Sequence, residues 1–137
     1  MSDVVIDASV ALAWCLPDEA SEYADRVLVA LKGQMIVVPA IWSLEVTNAM
    51  LVAERRKRLK EPEMLRFVAL LEGLSILEDH QTVGESVGNG LPLARDYGLS
   101  AYDAAYLELA IRHNARLATL DRGLQKAARR AGIEIVS

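Results

Sequence analysis

Short runs of Val and Ile alternate with longer stretches of helical period along the 137 residues, and this alternation restricts the fold more than any other feature. Val4 to Ile6, Met35 to Val38, Ser75 to Leu77, Arg116 to Thr119 and Ile133 to Val136 read as strands, because their apolar and β-branched residues come in runs too short for helices. Helical patterns occupy Ala20 to Lys32, Ile41 to Arg58, Glu63 to Leu71, Ala101 to Arg112 and Arg122 to Arg130. Gly33 and Gly132 supply C-terminal stops, and Pro39 suits a helix entry. Strands alternating with helices predict an α/β domain, with a mainly parallel central sheet flanked by helices on both faces. Between Thr82 and Gly98 the pattern is broken by Gly88, Gly90 and Pro92, which predicts two short helices and a turn. No internal repeat, low-complexity segment or domain linker is evident.

Composition removes several function classes. The single cysteine, Cys15, excludes an internal disulfide and a cysteine-based zinc site, and its apolar surroundings predict a buried, inert thiol. Two histidines exclude a histidine-rich metal site. No apolar run reaches membrane-spanning length, and Met1-Ser2-Asp3 carries no cationic leader, so a cytoplasmic protein without a membrane partner is expected. Hydrophobic residues make up 53% of the chain, more than a small interior holds, so part of the apolar surface should end in a subunit interface. The net charge of −4 argues against a non-specific nucleic-acid binder. Nucleic-acid chemistry would need bound cations or a local basic patch. One dense basic run exists, Arg55-Arg56-Lys57-Arg58 with Lys60; it closes a helix, where cations meet the negative dipole end and solvate well, and the alternative is a patch that contacts RNA or a protein partner.

Gly84-Glu85-Ser86-Val87-Gly88 matches the G-x-S-x-G nucleophile elbow, which requires a strand immediately before the serine. Here the preceding residues read as loop and helix start, with Thr82 and Glu85 forming a capping box.

Four acidic residues converge by topology. Asp7 ends the first strand and Asp121 follows the fourth, so both lie at the carboxyl edge, where open α/β sheets place their sites. Helices returning antiparallel begin at that same edge. Asp103 falls in the first turn of one, and Glu45 sits roughly 6 Å into another. Simpler readings stand beside this one. Asp7 and Asp121 suit helix N-caps, and Ser100 with Asp103 resembles a capping box. Glu45 is harder to explain as structure, because its neighbours are mostly apolar and no cation stands at i±3 or i±4. Carboxylates held together repel unless a cation neutralises them, and an all-oxygen set favours Mg²⁺ or Mn²⁺ over zinc. The chemistry implied is phosphodiester hydrolysis with metal-activated water.

The same segments resemble a known family. Val5-Ile6-Asp7-Ala8-Ser9 is similar to the opening motif of PIN domains. Pro39 to Ala49, around Glu45, resembles the VapC segment that carries the second acid. Ala101-Tyr102-Asp103-Ala104-Ala105-Tyr106-Leu107 resembles the third segment and Leu117-Ala118-Thr119-Leu120-Asp121 the fourth, followed by Leu124 and Ala127-Ala128. The resemblance runs from Val4 to Val136 and implies one PIN domain over residues 1–137 with strand order 3-2-1-4-5. It further implies an Mg²⁺- or Mn²⁺-dependent endoribonuclease, acting as the toxin of a type II toxin–antitoxin pair, homodimeric and neutralised by a VapB-like antitoxin. Asp7, Glu45, Asp103 and Asp121 would form the catalytic metal site, supported through hydrogen bonds by Ser9, Asn48 and Thr119. Two alternatives are a non-catalytic PIN-like scaffold and a DNA-directed nuclease of the same fold.

Overall fold

The computed structural model describes residues 3–137, so the uncharged start at Met1 and Ser2 lies outside the described residues. Four parallel strands form its sheet: β1 (Val4–Ile6), β2 (Ile36–Pro39), β3 (Ile76–Asp79) and β4 (Arg116–Ala118), in the order β3-β2-β1-β4. Every residue of β1 and β2 is buried, as expected of central strands covered on both faces. The edge strand β3 is only half covered, and Leu77 and Glu78 face solvent.

The fifth expected strand, Ile133 to Val136, shrinks to a single parallel bridge between Leu117 and Ile135. Two backbone bonds hold it beside β4: Leu117 N–H donates to Glu134 O (3.0 Å) and Val136 N–H donates to Leu117 O (3.0 Å). The segment therefore lies where the order 3-2-1-4-5 requires, but pairs too briefly to make a strand.

The helices are α1 (Ala8–Cys15), α2 (Glu22–Ala30), α3 (Ile41–Arg55), α4 (Glu61–Glu72), α5 (Val83–Tyr97), α6 (Ala101–His113) and α7 (Arg122–Arg130). Helix α1 is hidden in the sequence because its apolar residues run all the way round, as in a helix packed among others. Its neighbours are α2, α3 and α4. Cys15 lies there half-buried, and burial raises its thiol pKa, consistent with the inert role expected.

The stretch from Thr82 to Gly98 corrects the expectation of two short helices. It is one 15-residue helix with Pro92 inside it. Pro92 lacks the N–H that Gly88 O would accept. Gly88 is exposed, so water can take that carbonyl at little cost. Both ends are capped. Thr82 accepts from Glu85 N–H (3.2 Å) and donates to the Glu85 carboxylate (2.9 Å), while Gly98 takes the left-handed φ of 65° that stops the helix. Ser86 thus lies inside a helix, with β3 ending seven residues earlier and no strand immediately before it, which removes the nucleophile-elbow reading. No helix among the described residues is long and apolar enough to cross a membrane.

Candidate active site

Parallel pairing brings the ends of β1 and β4 to one edge, and Asp7 N–H donating to Ala118 O (3.2 Å) ties them there. Helix α6 leads into the start of β4, so its first turn, with Asp103, returns to the same carboxyl edge. Helix α3 follows β2 and places Glu45 on its second turn.

Asp7 is the most constrained of the four acids. It is 6% exposed, and both carboxylate oxygens are held. Oδ1 accepts from the Ser9 hydroxyl (2.6 Å) and from Val10 N–H (3.3 Å), while Oδ2 accepts from the Thr119 hydroxyl. Each hydroxyl also accepts a backbone N–H from the far strand end: Ser9 Oγ from Leu120 (3.0 Å) and Thr119 Oγ1 from Asp121 (3.0 Å). Ser9 and Thr119 therefore fasten two chain segments more than a hundred residues apart around one carboxylate. Asp7 is an N-cap, as the simpler reading held, and it also anchors this edge.

Asp121 caps α7, its Oδ2 accepting from Leu124 N–H (2.8 Å), yet the residue is exposed. Half of the expected capping box is present: Ser100 caps α6, its hydroxyl accepting from Asp103 N–H (3.1 Å), and the Ser100 side chain also acts on the Asp103 carboxyl to lower its pKa. Glu45 is half-buried rather than enclosed, and the Tyr106 hydroxyl donates to its Oε1. Asn48 stands exposed one turn beyond Glu45, and no hydrogen bond ties it to any of the four acids. The supporting role expected of it has no counterpart in the geometry.

The four acids share one electrostatic neighbourhood. Burial raises the Asp7 pKa above the ordinary carboxylate value, and the charge of Asp103 adds to this, against the lowering effect of the Ser9, Thr119 and Val10 donors. Asp103 is raised first by burial, then by the like charges of Asp121 and Glu45. Tyr106, 2% exposed, is raised strongly by burial, by its bond to Glu45, and by the charges of Glu45, Asp7 and Asp103. Among the described residues, no cation contributes to the shift of Asp7 or Asp103.

This donor set suits a hard divalent cation, which would relieve the like-charge cost. Among the described residues no three His, Cys, Asp or Glu side chains are close enough to form a ready-made cage. Mg²⁺ needs no such cage, since it is usually held by one or two carboxylates with waters and substrate phosphate completing its shell.

Tyr106 and Gln125 carry no role that the sequence alone assigns. Gln125 Nε2 donates to Thr119 O (2.8 Å) and steadies the turn before α7. Tyr106 stands three residues after Asp103, so its position on the same helix face is legible. Its partner, 61 residues away on α3, is not. The basic run Arg55 to Lys60 lies at the far end of α3, about 15 Å along the axis from Glu45. Within it Arg58 is engaged by Asp18 (2.7 Å).

Replacing Thr119 by Val keeps its shape but removes the donor to Asp7 and the acceptor for Asp121 N–H. A loss of roughly 1–2 kcal/mol in stability is expected for leaving buried polar groups unpaired. Urea unfolding of the two proteins measures it, and equal midpoints would show that the hydroxyl is dispensable.

Comparison with known proteins agrees with this fold. The family model described as the PIN domain matches residues 4–130. Ribonuclease VapC3 of Pyrobaculum aerophilum is 34% identical over 122 residues, covering 88% of this chain and 91% of that protein. Among solved structures, PAE2754 of Pyrobaculum aerophilum superposes with a TM-score of 0.71 at 23% identity, over 98% of this chain and 84% of its own. A toxin–antitoxin complex from Klebsiella pneumoniae gives a TM-score of 0.59 at 20% identity, with 86% of each chain covered. A family model spanning nearly the whole chain, and a relative sharing a third of its residues over most of both lengths, make this chain a member of the PIN-domain family, of the VapC type.

Proposed function

We propose that the chain is a Mg²⁺- or Mn²⁺-dependent endoribonuclease, the toxin of a type II toxin–antitoxin pair, with Asp7, Glu45, Asp103 and Asp121 as its acidic site. The observation that carries this reading is geometric: Asp7 and Asp121 end paired parallel strands at one edge, and α3 and α6 bring Glu45 and Asp103 to that same edge. The similarity to a ribonuclease of the VapC type supports the choice of RNA.

In this reading a bound divalent ion supplies an activated water and stabilises charge on the phosphate. The chain's own residues set the stage. Ser9 and Thr119 lock the Asp7 carboxylate by donating to one oxygen each. Tyr106 holds Glu45 Oε1, so Oε2 would be the oxygen available to help hold an ion. The α7 cap uses Asp121 Oδ2 and leaves Oδ1 free.

The partner assignments follow the same reading: RNA as substrate, a VapB-like antitoxin, a second copy of the chain, and a cytoplasmic location. An apolar groove of about 590 Å³ between the start of α3, α5 and α6 supports the homodimer. Leu44, Val87 and Leu91 line it and stay 65%, 59% and 56% exposed in the single chain.

Purified protein is expected to cut single-stranded or loop RNA with Mg²⁺ or Mn²⁺, to work poorly with Zn²⁺, and to leave DNA of the same sequence intact. Cleavage of the DNA instead would favour the DNA-directed alternative. A protein that cuts neither with any metal would favour the non-catalytic scaffold.

A further inference from the structure

Helix α7 begins at an acidic residue of the site, since Asp121 is its N-cap, and it presents a cationic face outward. Its buried residues are Leu124, Ala127 and Ala128. Arg122, Lys126 and Arg129, spaced i, i+4 and i+7, fall on the opposite face and are all exposed. They run outward from the acid for roughly 10 Å at 1.5 Å per residue. Among the described residues, none of the three lies within ion-pair distance of a carboxylate.

Helix energetics do not account for all of this face. Arg129 and Arg130 close the helix, where the dipole favours cations. Arg122 opens it, where the dipole opposes a cation, and the first turn holds no acidic residue. A cation kept at the wrong end of a helix, beside a metal-binding carboxylate, calls for a different explanation.

The basic surface also continues beyond α7. Arg26 of α2 stacks over the Tyr23 ring at 5.8 Å. The Tyr23 hydroxyl, which donates to Val136 O (2.7 Å), lies close enough to Asp7, Arg26 and Arg129 for all three charges to act on it. Arg26 of α2 and Arg129 of α7 therefore both stand near the Tyr23 ring, on the side of the molecule that α7 occupies. A chain of net charge −4 has few other means of holding a polyanion near four carboxylates. The Arg55 to Lys60 run, at the distant end of α3, is misplaced for that task.

We infer that the outward face of α7, Arg122, Lys126 and Arg129, with Arg26 beside it, is the track along which the phosphate backbone of single-stranded RNA leaves the acidic site. This rests on the ribonuclease reading. Phosphate contacts position a strand without reading its sequence, so the track should serve any RNA the site accepts.

The test is binding of a short fluorescent single-stranded RNA of mixed sequence to the Asp7→Asn protein in Mg²⁺, over a range of salt. Changing Arg122, Lys126 and Arg129 together to Gln is expected to weaken binding roughly tenfold at low salt. The slope of log affinity against log salt should fall by about 0.7 for each phosphate that is no longer neutralised. Changing Arg55, Arg56 and Lys57 to Gln removes the same charge and should have little effect. All of these positions are exposed, so the melting temperature should hold. A variant with Arg122→Lys and Arg129→Lys should keep the affinity.

Equal affinity and slope for the α7 variant would overturn the assignment. So would an equal loss in the α3 variant, which would reduce the effect to net charge. If the α7 changes weaken the antitoxin complex but not RNA binding, the face belongs to a protein partner and the RNA track is wrong. If the Asp7→Asn protein with α7 intact binds no RNA while wild type still cuts it, the track is wrong and the ribonuclease reading stands; if wild type cuts no RNA either, the ribonuclease reading fails as well.

Discussion

Expression of the free chain is expected to arrest growth, and Asp7→Asn or Asp103→Asn is expected to relieve the arrest without unfolding the protein. Asparagine keeps the shape of Asp7. The hydroxyls of Ser9 and Thr119 can rotate to accept as well as donate, so the packing around the position survives. The negative charge that would hold a cation does not survive. Loss of an outer-shell partner at a metal site costs about 10–100-fold, so loss of a ligand should lower RNA cleavage by roughly 100-fold or more. Growth curves with the two variants, beside their circular dichroism, give the answer. Two well-folded variants that remain fully toxic would leave Asp7 with its capping role alone.

The second large effect is on stability, and its sign separates a metal site from an ordinary helix end. The folded pKa of Asp103 is raised, so its stabilising contribution is complete below the unfolded carboxylate pKa and is lost as pH rises through the higher folded value. At neutral pH the ionised group therefore costs stability. Asp103→Asn should raise the melting temperature in EDTA, by no more than about 1 kcal/mol because solvent screens this half-buried position. Mg²⁺ at a hundred times its dissociation constant should stabilise wild type by about 2.7 kcal/mol and the variant much less. Ser100 keeps its cap through Asp103 N–H, so only the hydrogen bond from Ser100 to the carboxyl and the favourable first-turn charge are lost, and these reduce the gain. A variant that melts lower in EDTA and responds to Mg²⁺ as wild type does would remove Asp103 from the metal site.

What is legible in the sequence follows from period and from topology. Val4 to Ile6 and Ile36 to Val38 are short runs buried on both faces, and such runs can hardly be anything but central strands; only Met35, at the edge of the expected second strand, is exposed. Once parallel strands are granted, Asp7 and Asp121 must share an edge, and the helices that begin there carry Glu45 and Asp103 to it. Helix α1 escapes because period is invisible where every residue but Ser9 is apolar or small. Helix α5 misleads because Gly88, Gly90 and Pro92 break a helix by propensity, whereas packing against α6 and two good caps outweigh them. The bond from Tyr106 to Glu45 and the double role of Thr119 depend on side-chain reach between elements. No spacing in one chain records that. Density alone favours Arg55 to Lys60 among the basic features. The fold puts that run at the wrong end of α3 and sets the sparser cations of α7 beside the site.

The central claim is that these four acids work only through a divalent cation. Its most direct test is RNA cleavage by the purified protein after exhaustive chelation, followed by return of excess Mg²⁺. Cleavage should vanish with the metal and return with it in wild type, and should stay absent throughout in Asp7→Asn. Undiminished cleavage by the chelated wild-type protein would contradict the account.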